Sequence, residues 1–227
     1  MKQIISASLL LITLMLPSNF SFASARWVNA ESTPDFNTYV DSQTVSYNKD
    51  DNNITYWIKR TSPPAYGYTF MEQHSCNLTE KKIDILKSIT YKQEILQRST
   101  NTPHSYVIRI TPDSPAEHEV NTACSTIGLA PVLGVSTHRW KWIHSTDKTS
   151  YSICVDQKEY NPATGRALIY IKKTYLNGRH WTQAYVCNLK ENTLTTSLDE
   201  SNNDQKFIVP DSIEERIFNA AVILCKQ

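Results

Sequence analysis

Five cysteines, at positions 76, 124, 154, 187 and 225, are the side chains with the most chemistry to offer in this 227-residue chain. What they do depends on compartment: thiols pair where the surroundings are oxidising and stay free or bind metal where they are reducing. The first 25 residues speak to that. Lys2 precedes an apolar stretch around Ser8-Leu9-Leu10-Leu11-Ile12-Thr13-Leu14-Met15-Leu16, and the segment ends Ala23-Ser24-Ala25. A positive start, a short apolar core and an Ala-x-Ala end are the build of a secretory signal peptide. Residues 1–25 are thus expected to be removed, leaving an exported chain, periplasmic or secreted, that starts at Arg26. No cysteine precedes Cys76, so no thiol near the cleavage point is offered to a lipid, and surface display has no lipid anchor to rest on.

Other reactive constellations are missing. The histidines (His74, His104, His118, His138, His144 and His180) have no metal-ligand spacing. The five glycines are scattered, and none opens a helix after a strand as a phosphate-binding loop requires. There is no Gly-x-Ser-x-Gly elbow, no Cys-x-x-Cys and no His-Glu-x-x-His. The acidic run Asp199 to Asp204 lacks the turn glycine and closing glutamate of a calcium loop, and reads as a solvated loop. The expectation is a protein without catalytic residues, metal or cofactor.

Composition narrows the partner. Beyond the leader, 22 basic residues face 22 acidic ones, and a neutral chain lacks the cationic excess that phosphate backbones demand, so nucleic acid is excluded. Forty per cent hydrophobic content with five Trp and twelve Tyr is enough to build a core. No apolar run past the leader reaches the ~20 residues of a membrane span.

The elements come in two sets. Trp27 is followed 13 and 14 residues later by Val40-Asp41, and Trp142 at the same spacings by Val155-Asp156. Tyr56-Trp57-Ile58-Lys59 corresponds to Ile169-Tyr170-Ile171-Lys172, and Cys76-Asn77-Leu78 to Cys187-Asn188-Leu189. Ile110-Thr111-Pro112-Asp113-Ser114 recurs as Ile208-Val209-Pro210-Asp211-Ser212, and the halves close on Cys124 and Cys225. Matches in one order indicate a duplicated module: residues 26–128, a connector at 129–138, and residues 139–227. The connector is apolar and should pack along one module.

Within a module, Asn53–Arg60 and Tyr68–Leu78 read as strands, as do Ala167–Tyr175 and His180–Leu189 around an Asn177-Gly178 turn. Ile83 to Tyr91 suggests another strand and Glu94 to Arg98 a further one. Short connections imply an antiparallel meander. Ser114-Pro115-Ala116-Glu117 and Ser212-Ile213-Glu214-Glu215 are helix starts, with a capping serine and a glutamate three residues on. Each helix has an apolar face to lay on its sheet. The fold class is α+β: two tandem modules, each an antiparallel β-meander sheet with a C-terminal helix tied to it by a disulfide.

Five cysteines allow 15 ways of forming two pairs. The repeat favours Cys76–Cys124 and Cys187–Cys225, because in each module one thiol is on a strand and the other in the closing helix. Loops of about 49 and 39 residues make each bond worth about 4 kcal/mol of unfolded-chain entropy. Cys154 has no counterpart. It is a buried, inert thiol, a reactive thiol, or the link of a disulfide-bonded homodimer.

Two features are suited to binding. The loop Ser62-Pro63-Pro64-Ala65-Tyr66-Gly67-Tyr68 presents Tyr66 and Tyr68 on a proline-stiffened turn. Beside it, Lys59-Arg60 is matched in the second copy by Lys172-Lys173, with Arg179, His180 and Trp181 beyond the turn. Aligned hairpins would give each module a basic, aromatic end, unless the lysines merely protect sheet edges. The candidate partner-binding residues are Tyr66, Tyr68, Lys59, Arg60, Lys172, Lys173 and Trp181.

The ordered set of Trp, Val-Asp, Tyr/Trp-Ile-Lys, Cys-Asn-Leu, Pro-Asp-Ser and a final helix cysteine resembles the surface-adhesin protein E-like family of Gram-negative bacteria. It covers nearly all of both modules, the second being shortened: Cys187 to Pro210 spans 23 positions against 36 from Cys76 to Pro112. The resemblance implies an antiparallel sheet with a disulfide-tethered helix, and binding to host matrix proteins such as vitronectin or laminin, in some members to haem. The expected function is that of an exported, non-enzymatic, adhesin-like binding protein with a role in virulence. The alternative is a soluble periplasmic accessory or structural protein, a partner or inhibitor of an envelope enzyme.

Overall fold

A computed structural model describes residues 26–101, 107–135, 137–196 and 206–226. The expected leader (1–25), His104 and the acidic run 199–204 lie outside the described residues.

The chain forms two antiparallel sheets, each with one helix. The first sheet holds β1 (Trp27–Ser32), β2 (Asn37–Asp41), β4 (Asn53–Thr61), β5 (Tyr68–Asn77), β6 (Lys82–Lys92) and β7 (Ile95–Thr100) in that order, with β3 (Ser46–Asn48) on β4 and β8 (Ile108–Arg109) on β6. Helix α1 (Pro115–Thr126) packs on it. The second sheet runs β14 (Lys206–Phe207), β13 (Thr193–Thr196), β12 (His180–Asn188), β11 (Arg166–Tyr175), β10 (Thr149–Asn161), β9 (Trp140–Ser145), and carries α2 (Ile213–Cys225). The class is α+β, as expected, and no helix among the described residues is long and apolar enough to cross a membrane.

Strand alternation builds the cores. Ile54, Tyr56 and Ile58 of β4 and His74 and Cys76 of β5 turn inwards and are fully buried. With Val120, Ala123 and Cys124 of α1 they make the first core, closed by Leu133 of the connector. In β11 both faces are buried. Ala167, Ile169 and Ile171 meet Ile217, Phe218 and Ala221 of α2. Leu168 and Tyr170 face the other way, with Cys154, Ala184 and Trp140. That second face meets the first half: Arg109 reaches the Tyr170 hydroxyl, and Trp140 donates to Asp113 at 2.9 Å.

Repeated sequence motifs have repeated local jobs. Asn77 accepts from the N–H groups of Thr79 and Glu80, and Asn188 from those of Lys190 and Glu191. Each thereby closes the turn after its strand. Asp113 and Asp211 both sit at positive φ (55° and 63°), a region aspartate tolerates. Ser114 and Ser212 cap the helices by accepting from Glu117 and Glu215 N–H, at 3.1 Å each. The glutamates, however, accept from the N–H of Asp113 and Asp211 (2.7 and 2.8 Å), not from the cap residue. The cap N–H is already spent on the carbonyl of Thr111 or Val209.

Three further expectations are corrected. Spacing paired Trp27 with Trp142, but it is Trp140 that, like Trp27, follows an arginine bonded to an aspartate: Arg26 donates to Asp41 and Arg139 to Asp156. At the Asn177-Gly178 turn only Gly178 takes positive φ (79°). Its N–H bonds the Tyr175 carbonyl, the pattern of a type I turn followed by a left-handed glycine. Lastly, all five cysteines are free thiols, so neither expected cystine is formed here. The thiols nonetheless share cores two by two, Cys76 with Cys124 and Cys187 with Cys225. Burial first, then Cys124, Glu119 and Asp84, push the Cys76 thiol up, and burial with Cys225 raises Cys187 to about 12.

Candidate binding groove and the network behind it

Three segments converge where the halves meet. The first is the β1–β2 turn, held by Thr33: its hydroxyl accepts from the N–H groups of Asp35 and Phe36, at 3.3 and 3.0 Å. The second is the start of α1 at Asp113 to Pro115. The third is the tip of the β11–β12 hairpin. Together they line a groove of about 520 Å³, large enough for a small-molecule group or a side-chain cluster of a partner. Arg179 of the tip donates to Asp35 of the turn at 2.9 Å, fixing the hairpin over the first half. Trp181 lines the groove at 48% exposure, and Leu176 of the tip is 83% exposed.

Aromatic rings continue the surface across the first half. Phe36 meets Phe70 edge-on at 5.9 Å, and Phe70 stacks on Tyr68 at 6.0 Å. Lys92 lies over the Tyr68 ring at 5.3 Å. Tyr66 is 65% exposed on the same loop. The loop is folded by Ser62, whose N–H donates to the Tyr68 carbonyl while its hydroxyl accepts from Tyr68 N–H.

Asp113 anchors the groove floor. Burial alone would raise its pKa, but the Lys172 ammonium and the Trp140 N–H hold it below the usual carboxylate range. Lys172 also lies over the Trp140 ring at 4.2 Å. Acceptor atoms of Asp113, Glu117 and His118 fall within 4.8 Å of one another, yet each already has a partner. Asp113 takes Lys172 and Trp140; Glu117 takes His138 at 2.7 Å and the Asp113 N–H; His118 faces Glu31 at 3.4 Å. A lysine supplies the positive charge that a metal ion would bring.

A second polar set locks α1 to the sheet. Glu119 is fully buried. Its Oε1 meets His74 Nδ1 at 2.8 Å and the Tyr56 hydroxyl at 3.3 Å, and its Oε2 accepts from Arg60 at 3.0 Å. Arg60 and His74 Nε2 also share Glu72 Oε2, at 2.9 and 3.3 Å. Burial is the largest influence on His74 and opposes its charge, but Glu119 and Glu72 outweigh it and raise the pKa to about 8. Burial likewise works against the Glu119 carboxylate, and His74 and Arg60 reverse it, leaving the pKa lowered. Both Glu119 oxygens are committed, which suits a clamp.

The candidate residues therefore part company. Trp181 lines the groove, while Tyr68 stacks on Phe70 in the first half and Tyr66 is exposed on the loop before it. Arg60 is drawn into the buried network. Lys172 is taken by Asp113. Lys59 lies over Trp27 and Tyr39 at 4.5 and 5.2 Å, and Lys173 over Tyr151 and Tyr175 at 5.7 and 5.2 Å. The sequence does carry a signal for the buried network. Glu119 falls on the helical stripe of Ala116, Val120 and Ala123, and His74 alternates in phase with Cys76. No family model, curated protein or solved structure matches the chain.

Proposed function

We propose that this is an exported, non-enzymatic binding protein of the adhesin type, recognising a host matrix protein or another macromolecule through the aromatic surface around the groove. The observation that carries the reading is the Asp35–Arg179 contact. It brings the hairpin tip that carries Trp181 to the β1–β2 turn at Asp35, the residue before Phe36, whose ring begins the Phe36–Phe70–Tyr68 run. Large rings with little conformational freedom, arranged around a cleft, are what interface hot spots are made of. In this reading the halves are two copies of one protein E-like module, and the signal peptide at 1–25 delivers the chain to an oxidising compartment. There Cys76–Cys124 and Cys187–Cys225 close as cystines, and Cys154 stays a thiol. The shared cores of each thiol pair support that pairing.

The test is saturable binding of residues 26–227 to immobilised vitronectin or laminin, compared with the double variant Tyr66→Ala, Trp181→Ala. Binding that the variant loses supports the proposal. No binding to matrix proteins, with capture of an envelope enzyme instead, would favour the periplasmic accessory role.

A further inference from the structure

The second sheet has an unfinished edge. Among the described residues β9 pairs only with β10, so every second residue of β9 turns its N–H and carbonyl away from the sheet. Beside that edge a groove of about 330 Å³ runs between β9–β10 and α2, floored by Ile143, Val155 and Ala220. Trp142 and Ile223 line it while 63% and 53% exposed. It lies on the α2 face of the sheet, whereas the Asp113–Lys172 contact involves the opposite side, so the two grooves are separate.

Charge identifies what fits. The charged lining is Lys141 and Arg216, with no carboxylate, and neither cation has an ion-pair partner among the described residues. An apolar trough with two unopposed cations and an open strand edge asks for three things in its occupant: backbone able to continue a ladder, apolar side chains at alternate positions, and acidic groups. A strand has that period of two, sending alternate residues into the trough and the rest outwards. We propose that the β9 edge and the β9–α2 groove form a docking site for an extended acidic–apolar peptide segment, which adds to the sheet as a further strand.

The probe is a fluorescein-labelled peptide of alternating valine and glutamate, as long as the six-residue β9, titrated against residues 26–227 by fluorescence polarisation. Saturable binding is expected. It should weaken at least about 10-fold in the double variant Lys141→Glu, Arg216→Glu and in Ile223→Asp. N-methylation of one of the two alternate sets of peptide amides should abolish it, and Trp181→Ala should leave it unchanged. Circular dichroism checks that each variant is folded. Several results would overturn the proposal: no saturable binding, equal binding of a valine–lysine peptide, or indifference to N-methylation in both sets. So would binding of decanoate without the peptide, or a concentration-dependent dimer broken by Trp142→Lys, which would make the occupant a lipid or a second copy.

Discussion

Glu119 on α1 and His74 on β5 form a fully buried ion pair, 2.8 Å from Nδ1 to Oε1, at the seam between helix and sheet. Arg60 closes the other oxygen. Replacing Glu119 by leucine leaves Arg60 and His74 to share Glu72 without it, and breaking a buried pair from one side costs about 3–5 kcal/mol. Urea denaturation of Glu119→Leu should show a midpoint lowered accordingly. A loss below about 1 kcal/mol would mean the pair is open to water.

The same pair makes stability depend on pH in both directions. His74 has a folded-state pKa of about 8 against an ordinary 6.5. Its contribution, about 2 kcal/mol, is full below pH 6.5 and is lost as pH rises through 8. Glu119, lowered from 4.5, contributes above that pH and loses its share as pH falls through its folded value. Stability should therefore peak between about pH 5 and 6.5. The alkaline fall should shrink in His74→Gln to the share of His118, whose pKa Glu31 also raises, and a ring-proton NMR titration of His74 should show its midpoint near 8.

Much of the scaffold could be read from local chemistry. Ser114 and Ser212 announce their helices because capping is decided within four residues, and β4, β5, β11 and β12 follow from β-branched and aromatic runs. Strands β9 and β10 were harder. Strand β10 runs for 13 residues and its register against β11 shifts between Ile153 and Lys158, so it is pairing with both β9 and β11 that carries it through. The groove was half legible: Trp181, Tyr66 and Tyr68 stand out by type. Their common surface depends on Asp35 meeting Arg179, 144 residues away, and no local rule reports a contact of that separation.

Cysteine pairing separates the export reading from a reducing fate. Mass mapping of unreduced protein recovered from the envelope should find Cys76 joined to Cys124 and Cys187 to Cys225. Cys154, fully buried, should react with a thiol reagent only after denaturation. Cys76→Ser with Cys124→Ser should destabilise the oxidised protein by about 4 kcal/mol. Links crossing between the halves would contradict the two-module architecture.

If the aromatic surface is the contact site, truncating Tyr66 or Trp181 should each weaken partner binding about 10-fold, with no change in thermal midpoint beyond a few degrees. Lys173→Ala, whose ammonium is already spent on Tyr151 and Tyr175, should change affinity less than about 3-fold. Surface plasmon resonance on an identified partner gives both numbers. Equal losses at all three positions would point to a general electrostatic surface.

Asp113 and Asp211 are the same residue of the repeated Pro-Asp-Ser motif, and both hold positive φ. Only Asp113 has Lys172 and Trp140 from the other half on its carboxylate. Asparagine tolerates the same backbone, so the substitution isolates the side-chain charge at each site. Asp113→Asn should cost about 1.5–3 kcal/mol, the range for a lost charge-assisted hydrogen bond. It should also speed proteolysis in the connector, because Lys172 no longer ties the halves together. Asp211→Asn should change stability by less than about 0.5 kcal/mol. Equal effects at the two positions would show that the motif matters only as a helix start, and that Lys172 does not hold the second half on the first.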